Sequence, residues 1–195
     1  MSGGGVFRRQ SGALMGTRDG QRGATLVEAA FVLPIIILLT VSLLELGLAF
    51  RHFLTLSFTA REAARVGSLA GNDVDADCDI IRSIVAAFGP GDLTDVGIQI
   101  FKADEGTGEP TTAEVNTWAL KSSGDPNLCD TANWDVVENW PSVDRKVTVG
   151  PTSRLDILGV TIETDHGWVT GFPPWRGTIN VSRTALQRLE PEAFE

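Results

Sequence analysis

Arg22-Gly23-Ala24-Thr25-Leu26-Val27-Glu28 opens an apolar run. It continues through Val32-Leu33-Pro34-Ile35-Ile36-Ile37-Leu38-Leu39 to Leu44-Glu45-Leu46-Gly47 and ends at Phe50. From Ala29 to Phe50 the only charged residue is Glu45. As a helix this stretch is about 33 Å long, enough for one crossing of a hydrocarbon core of about 30 Å. A carboxylate costs roughly 2.5 to 3.5 kcal/mol at the centre of a span, so Glu28, five residues past Gly23, asks for a partner. Glu45 lies near the far end of the run, where it can reach the interface. Pro34 deletes one backbone hydrogen bond and predicts a bend, which membrane helices tolerate better than soluble ones.

Outward from the run, charge is unevenly placed. Residues 1–23 carry Arg8, Arg9, Arg18 and Arg22 against Asp19, a net of +3, whereas residues 51–195 carry a net of −10. An acidic main body argues against nucleic acid, whose phosphates require basic surfaces. A basic head before an apolar run is a membrane address. The positive-inside rule places that head in the cytoplasm, although Arg51, Arg61 and Arg65 follow closely. The 195 residues therefore divide into a basic leader, 1–23, cleaved or without fixed structure; a transmembrane helix, 24–50; and one extracytoplasmic domain, 51–195. Cys78 and Cys129 are the two cysteines, both in that domain. An even pair suits an oxidising compartment, and the alternative is two buried thiols.

Past the run, Ala49, Phe53, Leu56, Ala60, Ala63, Gly67 and Ala70 recur at spacings of four and three, with Arg51, Arg61, Glu62 and Arg65 off that stripe. The helix is predicted to continue outside the membrane and to lay this narrow seam on its own domain. Ile80, Ile81, Ile84, Val85 and Phe88 predict a short second helix, capped by a preceding aspartate and stopped at Gly89-Pro90-Gly91. Period-two alternation predicts strands at Val96–Ile100, at Val143, Val147 and Val149, at Val160–Ile162, and from Ile179 toward Leu189. The fold class is therefore α+β, a long N-terminal helix packed on a small antiparallel sheet, with residues 104–141 as a long loop insertion. Trp118, Trp134, Trp140 and Cys129 imply that this insertion is packed and pinned.

Tests for chemistry leave little. Asp73, Asp75, Asp77 and Asp79 alternate, but an EF-hand counted from Asp73 would need Gly at position 78 and Glu at 84, where Cys78 and Ile84 stand. The expectation is a solvated acidic turn, with another oxygen-rich site as the alternative. His52 and His166 have no third ligand at zinc spacing and are read as structural or exposed. No nucleophile, base or phosphate loop is spaced for catalysis, so the reading is a non-enzyme without cofactor or metal. In the span, cleavage after Gly23 would create an ammonium at Ala24, about one helical turn from Glu28 of its own or an adjacent chain. A staggered bundle would then pair amine with acid between subunits.

These segments, together with Arg61-Glu62-Ala63-Ala64-Arg65 and the closing Ser182-Arg183-Thr184-Ala185-Leu186-Gln187-Arg188-Leu189-Glu190-Pro191, resemble TadE-like proteins, minor pseudopilins of tight-adherence (type IVc, Flp) pili. The resemblance implies a pilin-like domain and a leader cut by a prepilin peptidase after Gly23. It also implies an assembly role for Glu28, with Pro34 and Glu45 as further assembly residues of the span. The implied partners are that peptidase, other minor pseudopilins and the major pilin, inner-membrane platform proteins, and membrane lipid. The implied place is the cytoplasmic (inner) membrane, single-pass, with incorporation into an extracellular pilus. Ala29, where major pilins of this branch place tyrosine, and the large domain point to a minor component that primes or caps a pilus. Two readings of another class compete. One is a secreted binding protein cut after Gly47-Leu48-Ala49; the other is an anchored adhesin that uses the insertion.

Overall fold

The computed structural model describes residues 18–88, 93, 95–150, 154–171 and 176–191, with side chains from Gly23 onward. The expected leader up to residue 17 and the stop at Gly89-Pro90-Gly91 lie outside the described residues. By their internal contacts the residues fall into two compact units, Met1–Leu44 and Glu45–Glu195.

The first unit holds the apolar part of helix α1, Arg18–Ala70, with Pro34 inside it. Every residue from Gly23 to Thr40 is exposed. By length and composition α1 is able to cross a membrane, and it is the one such helix among the described residues.

The second unit is α+β. It contains the remainder of α1, then α2 (Ala76–Phe88), β1 (Val96–Ala103), β2 (Pro110–Leu120), β3 (Trp134–Val137), a 3-10 turn at Ser142–Asp144, β4 (Ile157–Gly167) and β5 (Thr178–Arg188). The strands form one antiparallel sheet in the order β3-β2-β1-β4-β5. Ile98 faces Trp118 on one side and Ile162 on the other, and Ile100 faces Val160, so one row of side chains crosses the sheet beneath the helices. Leu56, Ala60, Ala63 and Ala64 of α1 and Ile80, Ile81, Ile84 and Val85 of α2 close the core over this row. The expected seam is thus used by the domain itself, with Leu56, Ala60, Ala63 and Gly67 buried. Gly67 is needed for close approach: a Cβ there would lie 2.4 Å from Leu158 Cδ2 and 2.5 Å from Ile80 Cδ1. Gly71, at φ +58, ends α1 in the left-handed conformation, and its N–H donates to Gly67 O.

Three expectations are corrected. The segment 104–141 is not a loop insertion in the sheet, because it supplies β2 and β3 and places β2 beside β1. Buried Asn116 interrupts the apolar alternation of β2 and hides it from a period-two reading. Val143, Val147 and Val149 do not form a strand: Val143 and Val149 are exposed, and Val147 is buried against Gly71. That segment finds its backbone partners in the turn (Arg145 N–H to Ser142 O, 3.0 Å) and in Asp156, whose carboxylate takes Lys146 N–H at 2.9 Å. Nor are the four aspartates one solvated turn. Asp73 accepts Asp75 N–H and Asp79 pairs with Arg82, but Asp77 is buried against Arg145 and Asn116.

Candidate assembly and anchoring site

Gly23, Ala24, Glu28 and Pro34 lie along the first unit's part of α1, all exposed. Helical spacing puts Ala24 and Glu28 on one face, about 6 Å apart along the axis. A Cβ added at Gly23 would meet nothing within 4 Å. Glycine inside a helix costs about 1 kcal/mol relative to alanine, so Gly23 locally weakens α1 beside the Gly23–Ala24 bond.

Glu45 behaves differently. It is 0% exposed and belongs to the second unit. The Val169 N–H donates to its Oε2 at 3.2 Å and the Thr170 N–H donates to its Oε1. Two consecutive amides thus hold both carboxylate oxygens, in the manner of the backbone concavities that bind anions. The strap that provides them, Gly167 to Gly171, leaves the end of β4 and turns at Gly171, φ +58. About two turns along α1, His52 meets His166 of β4 with ring centroids 5.2 Å apart, and the Trp168 ring stands edge-on to His166 at 5.5 Å. A groove of about 660 Å³ opens beside them, lined in part by Leu48, Arg51, His52, Asp95, Asp165 and His166. Its mixed charge favours neither a cation nor an anion. Among the described residues no group of three or more His, Cys, Asp or Glu is placed to hold a metal ion.

Cys78, in the first turn of α2, and Cys129 form a disulfide with Cα atoms 5.6 Å apart. It ties the β2–β3 connection to the helical layer next to the Asp77–Arg145 pair.

The sequence identified Glu45 but not what receives it. The signal for the strap was the pair of glycines around Trp168-Val169-Thr170, which mark a turn without saying which helix it meets. The His52–His166 contact joins residues 114 positions apart and left no local signature.

No curated protein and no solved structure matches the chain. The family model for TadE-like proteins matches residues 23–65, from the proposed cleavage site through the helix as far as the buried seam. Over that stretch, and there alone, the chain is similar to TadE-like proteins.

Proposed function

We propose that this protein is a minor pseudopilin that assembles, primes or caps a tight-adherence pilus. It is held in the cytoplasmic membrane by a single crossing, with the second unit extracytoplasmic. The observation that carries this reading is the coincidence of the TadE-like match with a helix that is exposed on every side from Gly23 to Thr40. An apolar helix with no covering in its own fold is built for lipid or for other helices. Prepilin peptidase cuts after Gly23, and the new ammonium of Ala24 pairs with Glu28 of an adjacent chain, while Pro34 lets the helix bend as it leaves the bilayer for the bundle. The role is structural, with other pseudopilins, the major pilin and the inner-membrane platform as partners.

The test is the intact mass and N-terminal sequence of the protein from host membranes, with and without the peptidase. A start at Ala24 that requires the peptidase is expected. A start at Met1 in both samples would leave a static anchor, and a start at Phe50 would make the domain a secreted one. Glu28→Ala is then expected to abolish pilus assembly while leaving membrane insertion intact, since removing an acid from the span only eases insertion.

A further inference from the structure

Exposed apolar side chains surround the Glu45 clasp. Leu46 is 58% exposed, Leu48 41%, Phe50 60% and Val169, on the strap, 72%. Leu46, Leu48 and Phe50 point from α1 in directions other than that of buried Glu45, and Val169, whose amide is bonded to the Glu45 carboxylate, lines the same groove as Leu48. Exposed Arg51 follows at once, the first cation after the run.

We infer that this collar is a second membrane contact, one that seats the folded domain in the headgroup layer of the bilayer. The inference rests on the membrane-spanning reading above and adds a surface to it. Ala24–Leu44 spans about 31 Å as a helix, which uses up a hydrocarbon core of about 30 Å. Leu46 and Leu48 then lie about 3 and 6 Å further along the axis, within a headgroup layer of roughly 5 to 7 Å, and Phe50, about 9 Å along, stands just past its outer edge, from where its ring can reach back. Apolar and aromatic residues are favoured in that layer, and an arginine just outside it can keep its charge in water while its stem lies along apolar surface. Glu45 falls at the inner boundary, where an unmet carboxylate would draw water. The amides of Val169 and Thr170 meet it instead, and so carry Val169 to the same depth. The α1 part of the collar therefore continues the apolar run without a break in sequence, and Val169 adds to it from the strap.

The test uses the full chain in vesicles of phosphatidylethanolamine and phosphatidylglycerol. Both native cysteines are in the disulfide, so an added cysteine is the one free thiol for a spin label. Labels are placed at Val169→Cys, at Ile36→Cys within the run, and at Leu128→Cys, an exposed position on the β2–β3 connection. Collision with oxygen, which enters lipid, is compared with collision with a water-soluble nickel chelate. The Val169 label is expected to favour oxygen over nickel several-fold relative to Leu128, approaching Ile36. If Ile36 reads as lipid and Val169 reads like Leu128, the collar is refuted and the span stands. If Val169 is shielded from both reagents, a protein surface covers it and the lipid assignment is overturned. If Ile36 itself reads as water, the membrane reading fails and takes the collar with it.

Discussion

Arg145 and Asp77 meet inside the domain, where the guanidinium side chain is 0% and the carboxylate 9% exposed. Asn116 adds to the cluster: its Nδ2 donates to Asp77 Oδ2 and to Trp140 O, and its Oδ1 accepts the N–H groups of Asn139 and Trp140. The guanidinium also lies over the Trp140 ring, 4.7 Å from its centroid. A buried pair of this kind is not worth much against a well-packed apolar replacement, but removing one partner strands the other charge at a cost of about 3 to 5 kcal/mol. Asp77→Ala is therefore expected to lower domain stability by that amount. Glu62→Ala, which removes an ion pair with both side chains more than half exposed and screened by solvent, is expected to leave stability nearly unchanged. Urea unfolding of the full chain in detergent, followed by tryptophan fluorescence, separates the two, because Trp118, Trp134 and Trp140 are buried in the domain. Equal losses would mean that the cluster does not hold the fold as argued. The sequence displayed Asp77 only as one of four alternating aspartates, since nothing local distinguishes a carboxylate that will meet an arginine 68 positions later.

At the scale of elements, what could be read in advance was whatever rests on local periodicity. The α1 seam, α2, β1, β4 and β5 all follow from apolar spacing. Strand β2 was missed because Asn116 occupies a core position, and the false strand near Val147 arose because alternating valines there flank a buried arginine. Turns are legible by another route, the short polar residues that bond their own backbone. In the β1–β2 connection Asp104 accepts the N–H groups of Thr107 and Gly106, each at 2.9 Å, and the Thr107 hydroxyl. The Thr107 amide, then the Gly106 amide and the Thr107 hydroxyl, hold the Asp104 carboxyl below its ordinary value of 3.8. In the β2–β3 connection the Asn133 side chain, followed by backbone amides, does the same for Asp130. A lowered folded-state pKa contributes stability that is fully present above the unfolded value and is lost as pH falls through the folded one. Acidification below about pH 4 is thus expected to weaken both connections. Asp104→Asn, which does not titrate, is expected to flatten the fall of the urea midpoint as pH drops below about 4, whereas an unchanged slope would remove Asp104 from the account.

For the molecule as a whole, charge, redox chemistry and the apolar run bear on one orientation. The head of net +3 and the body of net −10 flank the run, and the arginines just past Phe50 weaken the charge rule as a guide to topology. The disulfide is an independent witness, because such bonds form and persist in oxidising compartments and are rare in the cytosol. With its cysteines 51 positions apart in sequence, the cross-link stabilises the fold by about 4 kcal/mol in the chain-entropy model, against a total of roughly 5 to 15 kcal/mol for a domain. Compartment and stability are therefore coupled: a domain left in the cytoplasm would forgo a sizeable share of its folding free energy. Thiol trapping of the full chain in intact host cells is expected to find Cys78 and Cys129 oxidised. Replacing both by serine is expected to lower the urea-derived stability by about 2 to 4 kcal/mol and to reduce the amount of protein in the membrane. Trapping of two free thiols in the native chain would put the domain on the reducing side. It would then be unable to reach a pilus outside the membrane, and the pseudopilin assignment would fall with the orientation.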